Sequence, residues 1–296
     1  MKYAGQGAST ARRIWDRPPL FRSPLAFLSR IAAALCLASF GGALAAPQAW
    51  ALGQGDDVSR VFSFGGSCVG CELSGRKMPD AHFLGANFSS ATMVGSNLQG
   101  AWFFGANFSK ANLSRADLRG ASLLGSEFAD CDFTGANLAG VRGHGADFSG
   151  AIMVRTNLEN ANLLGAQLAR VNAREAQFTG ASMFGANLGE GHFDHASFRG
   201  ATLMGANLGG SGFAGADFTG ANLTHTSLAG ADLSAAKGLT QSQIDLACSS
   251  SSTKLPAGLV ARSCHTLTPN VLILRANAAA QAHTGAPRFI IDMSGY

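Results

Sequence analysis

Large apolar residues recur at every fifth position from residue 71 to residue 235, through 33 blocks without insertion or deletion. The central residue of a block is Leu, Phe or Met in 31 blocks, and Ala stands two residues earlier in 22. Five residues advance by about 140° on an α-helix, and side chains alternate along a strand, so neither element keeps these residues on one face. The pattern predicts a short extended segment and a turn, repeated, with the central residue and the Ala facing a common axis.

Residues of like size also recur every 20 positions. Phe88 is followed at this spacing by Phe108, Phe128 and Phe148, and then by Leu at 168, 188, 208 and 228. Like side chains stack when successive coils lie in register, so four blocks should complete one circuit. The 33 blocks then predict about eight coils and, at roughly 4.8 Å per coil, a rod about 40 Å tall.

The repeated triplet resembles the motif of the pentapeptide-repeat family, which is Ala, then Asp or Asn, then Leu, followed by two variable residues. Ala-Asn-Leu stands at 111–113, 136–138, 161–163, 186–188, 206–208 and 221–223, and Ala-Asp-Leu at 116–118 and 231–233. The resemblance covers 165 of the 296 residues. It implies the family fold, an all-β solenoid in the form of a right-handed quadrilateral β-helix.

Two blocks have undersized centres, Gly143 and Ala173, and each carries Val instead of Ala two residues earlier, at Val141 and Val171. A core that loses volume at one position can regain it at a neighbouring one. We therefore expect both positions of a block to point inward.

The first 70 residues do not repeat. Basic residues precede an apolar run at 31–40 and small residues follow it, which is typical of a secretory signal peptide. We predict a signal peptide at 1–51, an N-terminal cap or linker at 52–70, and a periplasmic or extracellular location. An uncleaved membrane anchor and a twin-arginine leader at Arg12 and Arg13 are the alternatives.

The chain after the repeats divides into a predicted C-terminal cap at 236–265 and a tail at 266–296. Thr240 and Gln243 fit a capping box, which predicts a short helix over 240–248 that covers the end of the rod. The phrase from Gly238 to Cys264 resembles the C-terminal segment of exported bacterial pentapeptide proteins. The tail carries apolar clusters at 271–274 and 289–291, and it either lacks regular structure or packs on the rod.

Five cysteines follow the predicted leader. Cys68 and Cys71 lie near the start of the rod, whereas Cys248 and Cys264 lie near its end, so a shared zinc site would have to span about 40 Å. Because export favours disulfides, we predict Cys68–Cys71 and Cys248–Cys264 bridges, with a redox role of the first pair as an alternative. Cys131 replaces an inward Ala and is predicted to be an inert buried thiol.

One outward position stands apart from the rest. The residue after each centre is mainly small or polar in three columns, but in the fourth it is apolar in six of eight coils, with His144 and Thr224 at the others. We call these six residues the stripe: Leu84, Phe104, Leu124, Leu164, Phe184 and Met204. An exposed apolar patch of this kind usually marks an interface, so we predict a docking surface for a second copy, another protein or the chain's own tail. In the alternative, these side chains tuck under the corner of the coil.

Charge and residue chemistry narrow the possible functions. The chain has a net charge of +4, but residues 71–235 hold ten Lys or Arg against 13 Asp or Glu, without a basic stripe or a dense acidic face. His192, Asp194 and His195 have the residue types of a metal site, but they lie on either side of a corner. We predict no catalytic residues, cofactor, nucleic acid or small-molecule substrate, and we favour an exported scaffold or protein-interaction module. A DNA-mimicking topoisomerase regulator, as some family members are, and a weak metal role through the His cluster are the alternatives.

Overall fold

The computed structural model describes residues 62–261. The predicted signal peptide, most of the predicted linker, Cys264 and the tail lie outside this range. Three short strands, β1 (Phe62–Phe64), β2 (His82–Leu84) and β3 (Trp102–Phe104), form a parallel sheet in the order β1-β2-β3. Each strand residue pairs with the residue 20 positions later, as Phe83 does with Phe103.

Isolated parallel bridges continue this register along the remaining coils. They join residues 20 apart on all four sides, as in Asn87 with Asn107 and Asn97 with Asp117. The predicted circuit of 20 residues is therefore confirmed. The spacing grows only at the last two bridges, Ser227 with Cys248 and Asp232 with Lys254, after helix α1 (Gln241–Leu246) has been inserted.

The central residues of one column form a single file inside the rod. The rings of Phe88, Phe108, Phe128 and Phe148 stack in that order, with centroids 4.9, 4.9 and 5.2 Å apart. The Ala residues that precede the central residues are buried beside them. Apolar side chains thus fill the rod along its axis, as the sequence predicts.

Hydrogen bonds explain why Asn or Asp precedes the central residue. The Asn107 Oδ1 atom accepts a hydrogen bond from the Ser109 N–H group at 2.8 Å, and the Phe108 carbonyl accepts one from the Ala111 N–H group at 2.8 Å. These two bonds fold the outward part of each block into a turn. The last residue of a block has a positive φ, 59° at Gly105 and 63° at Lys110.

Polar residues at the inward Ala position are also satisfied by the backbone. Thr156, Ser211 and Thr226 each donate a hydrogen bond to the carbonyl of the residue 23 positions earlier, at 2.7 to 2.8 Å. Each of these carbonyls belongs to a central residue of the preceding coil. Ser96 occupies the same position, but its buried hydroxyl has no partner among residues 62–261. The rod therefore tolerates a buried hydroxyl at this position, and in most cases that hydroxyl is hydrogen-bonded to a backbone carbonyl.

The undersized centres point inward, as expected. Val141, Val171 and Ala173 are fully buried. A Cβ atom added to Gly143 would lie 3.0 Å from Cδ2 of Leu163, so the Leu of the next coil already reaches into the vacant space. The sequence indicates compensation by the neighbouring Val, whereas the structure shows that the adjoining coil contributes as well.

Helix α1 is packed against the last coils. Thr240 and Gln243 form both bonds of a capping box, and Ile244 is buried. The Gln243 side-chain amide donates hydrogen bonds to the carbonyls of Phe218 and Ala221, at 3.0 and 2.8 Å. Within residues 62–261, the structure contains no helix whose length and hydrophobicity would let it cross a membrane.

Candidate interaction surface

The stripe residues lie in one row along one side of the rod. We call this the stripe side; it consists of residues 81–85 and every fourth block after them, to 221–225. The N–H group after each stripe position donates to the carbonyl of the next one, as Gly85 does to Phe104 at 2.9 Å and Gly165 does to Phe184 at 2.9 Å. The backbone therefore holds neighbouring side chains of the row about one coil spacing apart.

Four of the eight positions of the row are open to solvent. Phe104 is 60% exposed, and Leu84, Leu164 and Phe184 are between 38% and 46% exposed. Leu124 and Met204 are half-buried, like His144 and Thr224, which complete the row. The structure thus places all six predicted residues on one surface, and four of them project well beyond the corner.

Glycine borders the row along one edge. The residue after each row position is Gly in seven of eight coils, with a φ between 58° and 66°. Two other corners hold Lys110, Arg115 and Glu190 at equivalent φ values, so the turn does not require Gly. A Cβ atom added to any of these seven glycines would meet nothing within 4 Å. The edge therefore leaves room for the backbone of another segment to approach closely.

An aromatic and cationic stack lies on the other edge of the row. The His82 and Trp102 rings are stacked with centroids 5.1 Å apart, and the Arg142 guanidinium carbon lies 5.4 Å from the Trp102 centroid. Trp102 is 48% exposed. Cation–π and stacking contacts hold the indole against the rod, so it adds apolar surface beside Phe104.

Acidic side chains are absent from the stripe side between residues 81 and 225, so the carboxylates of the repeats occupy the other three sides. Asp217 pairs with Arg199 and Asp232 with Lys254, both at 2.9 Å. Hydrogen bonds from Thr219 and Arg199 lower the pKa of Asp217 to about 2, and those from Ser234 and Lys254 lower the pKa of Asp232 to about 2. The carboxylates of the repeats thus lie on other sides of the rod than the apolar row.

A comparison with known families identifies the repeats that build this surface. A model of pentapeptide repeats matches eight copies over residues 67–237, more than half of the chain. The chain belongs to the pentapeptide-repeat family. The right-handed quadrilateral β-helix is the fold that this family implies, and the register of 20 residues agrees with it.

Three solved pentapeptide-repeat structures are similar to this chain. The first is HetL, involved in heterocyst differentiation regulation in the cyanobacterium Nostoc sp. Strain PCC 7120; it is 27% identical, with 61% of this chain and 81% of HetL covered and a TM-score of 0.44. A trypsin-treated variant of QnrB1, a plasmid-mediated fluoroquinolone resistance protein, is 18% identical over 65% of this chain and 92% of its own, with a TM-score of 0.37. A pentapeptide-repeat protein of the Arabidopsis thaliana thylakoid lumen is 29% identical, with 53% of this chain and 70% of that protein covered and a TM-score of 0.18. Curated proteins include no match to this chain.

The histidine cluster does not assemble into a metal site in this pentapeptide-repeat rod. His192 and His195 are exposed, and Asp194 is paired with Arg174 at 2.9 Å. Residues 62–261 contain no group of three or more His, Cys, Asp or Glu side chains placed to hold a metal ion. The cluster therefore provides a solvated surface in the described part of the chain.

The described cysteines lie near the two ends of the rod and inside it. The Cys68 and Cys71 sulfur atoms lie 2.09 Å apart, at bonding distance, at the start of the rod. Cys131 is buried inside it, where burial raises the pKa of its thiol to about 12. The backbone of Cys248 pairs with that of Ser227 in a parallel β-bridge. Its predicted disulfide partner, Cys264, lies outside the described residues, so that disulfide stays a prediction.

Sequence reasoning missed two parts of the surface. It did not connect Trp102 with Arg142, which lie two coils apart. The spacing of 20 reveals stacks of the same residue type, such as Phe on Phe, but it does not reveal a Trp that stacks with an Arg. It also missed Leu246 of α1, since the helix interrupts the period of five. The parallel bridges between successive coils show which residues lie above one another.

Proposed function

We propose that this protein is an exported, non-enzymatic scaffold that binds another protein through the stripe. Residues 1–51 support the export part of this proposal, because their composition is typical of a signal peptide. In this proposal about eight coils form the rod, and α1 covers its C-terminal end. The observation that carries the binding role is a row of exposed apolar side chains on a side without carboxylates. Such a patch is typical of an interaction site rather than of a free surface.

The row has the chemistry of a protein interface. Aromatic residues and Arg are enriched at the centre of interfaces, whereas Asp, Glu and Lys are depleted there. Phe104 and Phe184 supply the aromatic anchors, and Trp102 and Arg142 adjoin them. A binding partner would therefore present an apolar strip of similar length, about 29 Å from Leu84 to Met204 at roughly 4.8 Å per coil.

A DNA-mimicking role is the less favoured alternative, since it needs a dense acidic face. Here the acidic residues are spread over three sides, and several are paired with Arg or Lys. A reporter enzyme fused to residues 1–60 separates the two roles. Export of the reporter is the expected result, and its retention in the cytosol would favour the topoisomerase regulator. The metal content of the purified protein tests the weak metal role.

The binding role is tested with a capture experiment from an envelope extract. The variant Phe104→Ser with Phe184→Ser removes the two largest exposed anchors, and Ile152→Ser is the matched control because Ile152 is 41% exposed on another side. Each lost anchor should weaken binding roughly tenfold or more, since it withdraws about 100 Å² of apolar contact. A protein captured by the wild type and by the control, but not by the stripe variant, is the expected result. Equal capture by all three forms would refute the role.

A further inference from the structure

The described chain ends beside the stripe side. Its last residues return to the first turn of α1, where the Gln241 side chain donates to the Val260 carbonyl at 3.0 Å and accepts from the Val260 N–H group at 2.9 Å. Helix α1 itself stands where the next coil of the stripe side would lie, between the bridges of Lys237 and Cys248. The last described residue, Ala261, therefore lies near the row, and 35 residues follow it in the sequence.

The row continues to this point through Leu246. The His225 N–H group donates to the Leu246 carbonyl at 2.8 Å, which is the same ladder bond that Gly205 makes to Thr224 at 2.9 Å. Leu246 thus takes the next position of the row, and it is 52% exposed. Val260, which adjoins α1, is 68% exposed. Apart from the half-buried Thr224, apolar surface therefore extends from the stripe to the last described residues.

We propose that the chain's own segment 270–274 lies along the stripe and competes there with the partner, an inference that rests on the proposed function. Val271, Leu272, Ile273 and Leu274 are consecutive apolar residues. Val271 comes ten residues after Ala261, and an extended chain of ten residue steps spans about 33 Å. Leu164 lies four coils below Leu246, or about 19 Å, so the segment reaches the stripe.

Area favours this occupant over a second copy. The stripe side is five residues wide, about 15 Å, and about 38 Å tall, so two copies packed through it would bury about 1,100 Å² in total. Stable interfaces bury about 1,200–2,000 Å², and association also costs translational and rotational freedom. A segment of the same chain does not carry that cost, because its effective concentration is set by a short connection. The bare glycine edge beside the row gives its backbone room.

Photo-crosslinking of the full-length protein identifies the occupant. Benzoylphenylalanine replaces Phe184, and in the control it replaces Ile152 on another side. The expected product is a crosslink from position 184 to residues 270–274 within one chain, as shown by mass spectrometry on a mixture of isotope-labelled and unlabelled protein. A crosslink only between chains, or none to this segment, would overturn the proposal.

Limited proteolysis gives an independent measurement. The variant Leu164→Ser with Phe184→Ser should accelerate thermolysin cleavage at 271–274 roughly tenfold relative to the wild type, whereas Ile152→Ser should leave the rate unchanged. An equal rate in all three forms would contradict coverage by this segment.

Partner capture distinguishes this inference from the proposed function. Leu272→Ser with Leu274→Ser should increase capture roughly tenfold when the segment competes with a partner. Capture that depends on the stripe but does not respond to this variant would overturn the competition and leave the binding role in place. If the crosslink forms but no partner is captured with either form, the segment covers the stripe and the binding role fails.

Discussion

Phe103 and Phe104 are adjacent in the chain but face opposite environments, so they test the assignment of inward and outward positions. Phe103 is 1% exposed, and its ring contacts those of Phe83, Phe88 and Phe108 at centroid distances of 5.4, 6.4 and 4.9 Å. Phe104 is 60% exposed. Replacement with Ala removes the same atoms in both cases, from the interior of the rod at Phe103 and from its surface at Phe104.

The two substitutions should differ severalfold in their effect on the free energy of unfolding. Phe103→Ala removes a fully buried ring and leaves a cavity, which costs about 3–5 kcal/mol. Edge and stacked contacts with three neighbouring rings place the expected loss toward the upper part of that range. Phe104 buries only about 80 Å² of its surface, part of which Ala retains, so Phe104→Ala should cost about 1 kcal/mol at most.

Guanidinium denaturation followed by circular dichroism measures both losses. The slope of the free energy with denaturant must stay constant across the wild type and the variants, because repeat proteins can unfold in parts. Equal losses, or a larger loss at Phe104, would refute the inward placement of the central residues and with it the location of the stripe.

Three further predictions concern other positions. Ser96→Ala should raise the free energy of unfolding by up to about 1 kcal/mol, since its buried hydroxyl lacks a partner among residues 62–261. Ser126→Ala should lower it by about 1 kcal/mol, because that hydroxyl bonds to the Phe103 carbonyl. A loss of stability at Ser96 or a gain at Ser126, measured by denaturation, would contradict this. Cys131 should react with a thiol reagent at pH 8 only after unfolding, and rapid labelling of the native protein would disprove its burial. Asp217 and Asp232, with pKa values of about 2 against 3.8, stabilise the fold above about pH 4 and lose that contribution as the pH falls toward 2, so a double Asn variant should lose less stability over this range than the wild type.

Much of the rod can be predicted from the sequence because the residues that fill its core recur at a fixed interval. The Phe88 column shows this, since equal rings at a spacing of 20 have no other common arrangement that stacks them. The Asn and Asp positions are also predictable, since their side chains complete a local turn. These features depend on neighbours in the chain or on the same type of residue one coil away.

Other features depend on unlike residues that meet only in three dimensions. Leu163 fills the space at Gly143 by reaching from the next coil, which no periodic pattern indicates. The pairing of Gln241 with Val260 likewise joins two segments without a repeat between them. The candidate surface is thus predictable as a row, whereas its aromatic edge and its extension to α1 depend on contacts between residues that are distant in the sequence.

The fold itself does not demand an apolar residue in the row, and this is the strongest reason to assign the row a role. On another side the equivalent positions hold Ser109, Ala129, Gly189 and Ala229, and these coils are closed by the same hydrogen bonds and turns. An exposed Phe at such a position adds nothing to the core, and it raises the risk of aggregation. The stripe side has four exposed apolar side chains, a bordering row of glycines and no carboxylate. Together these features indicate a surface that is covered when the protein acts.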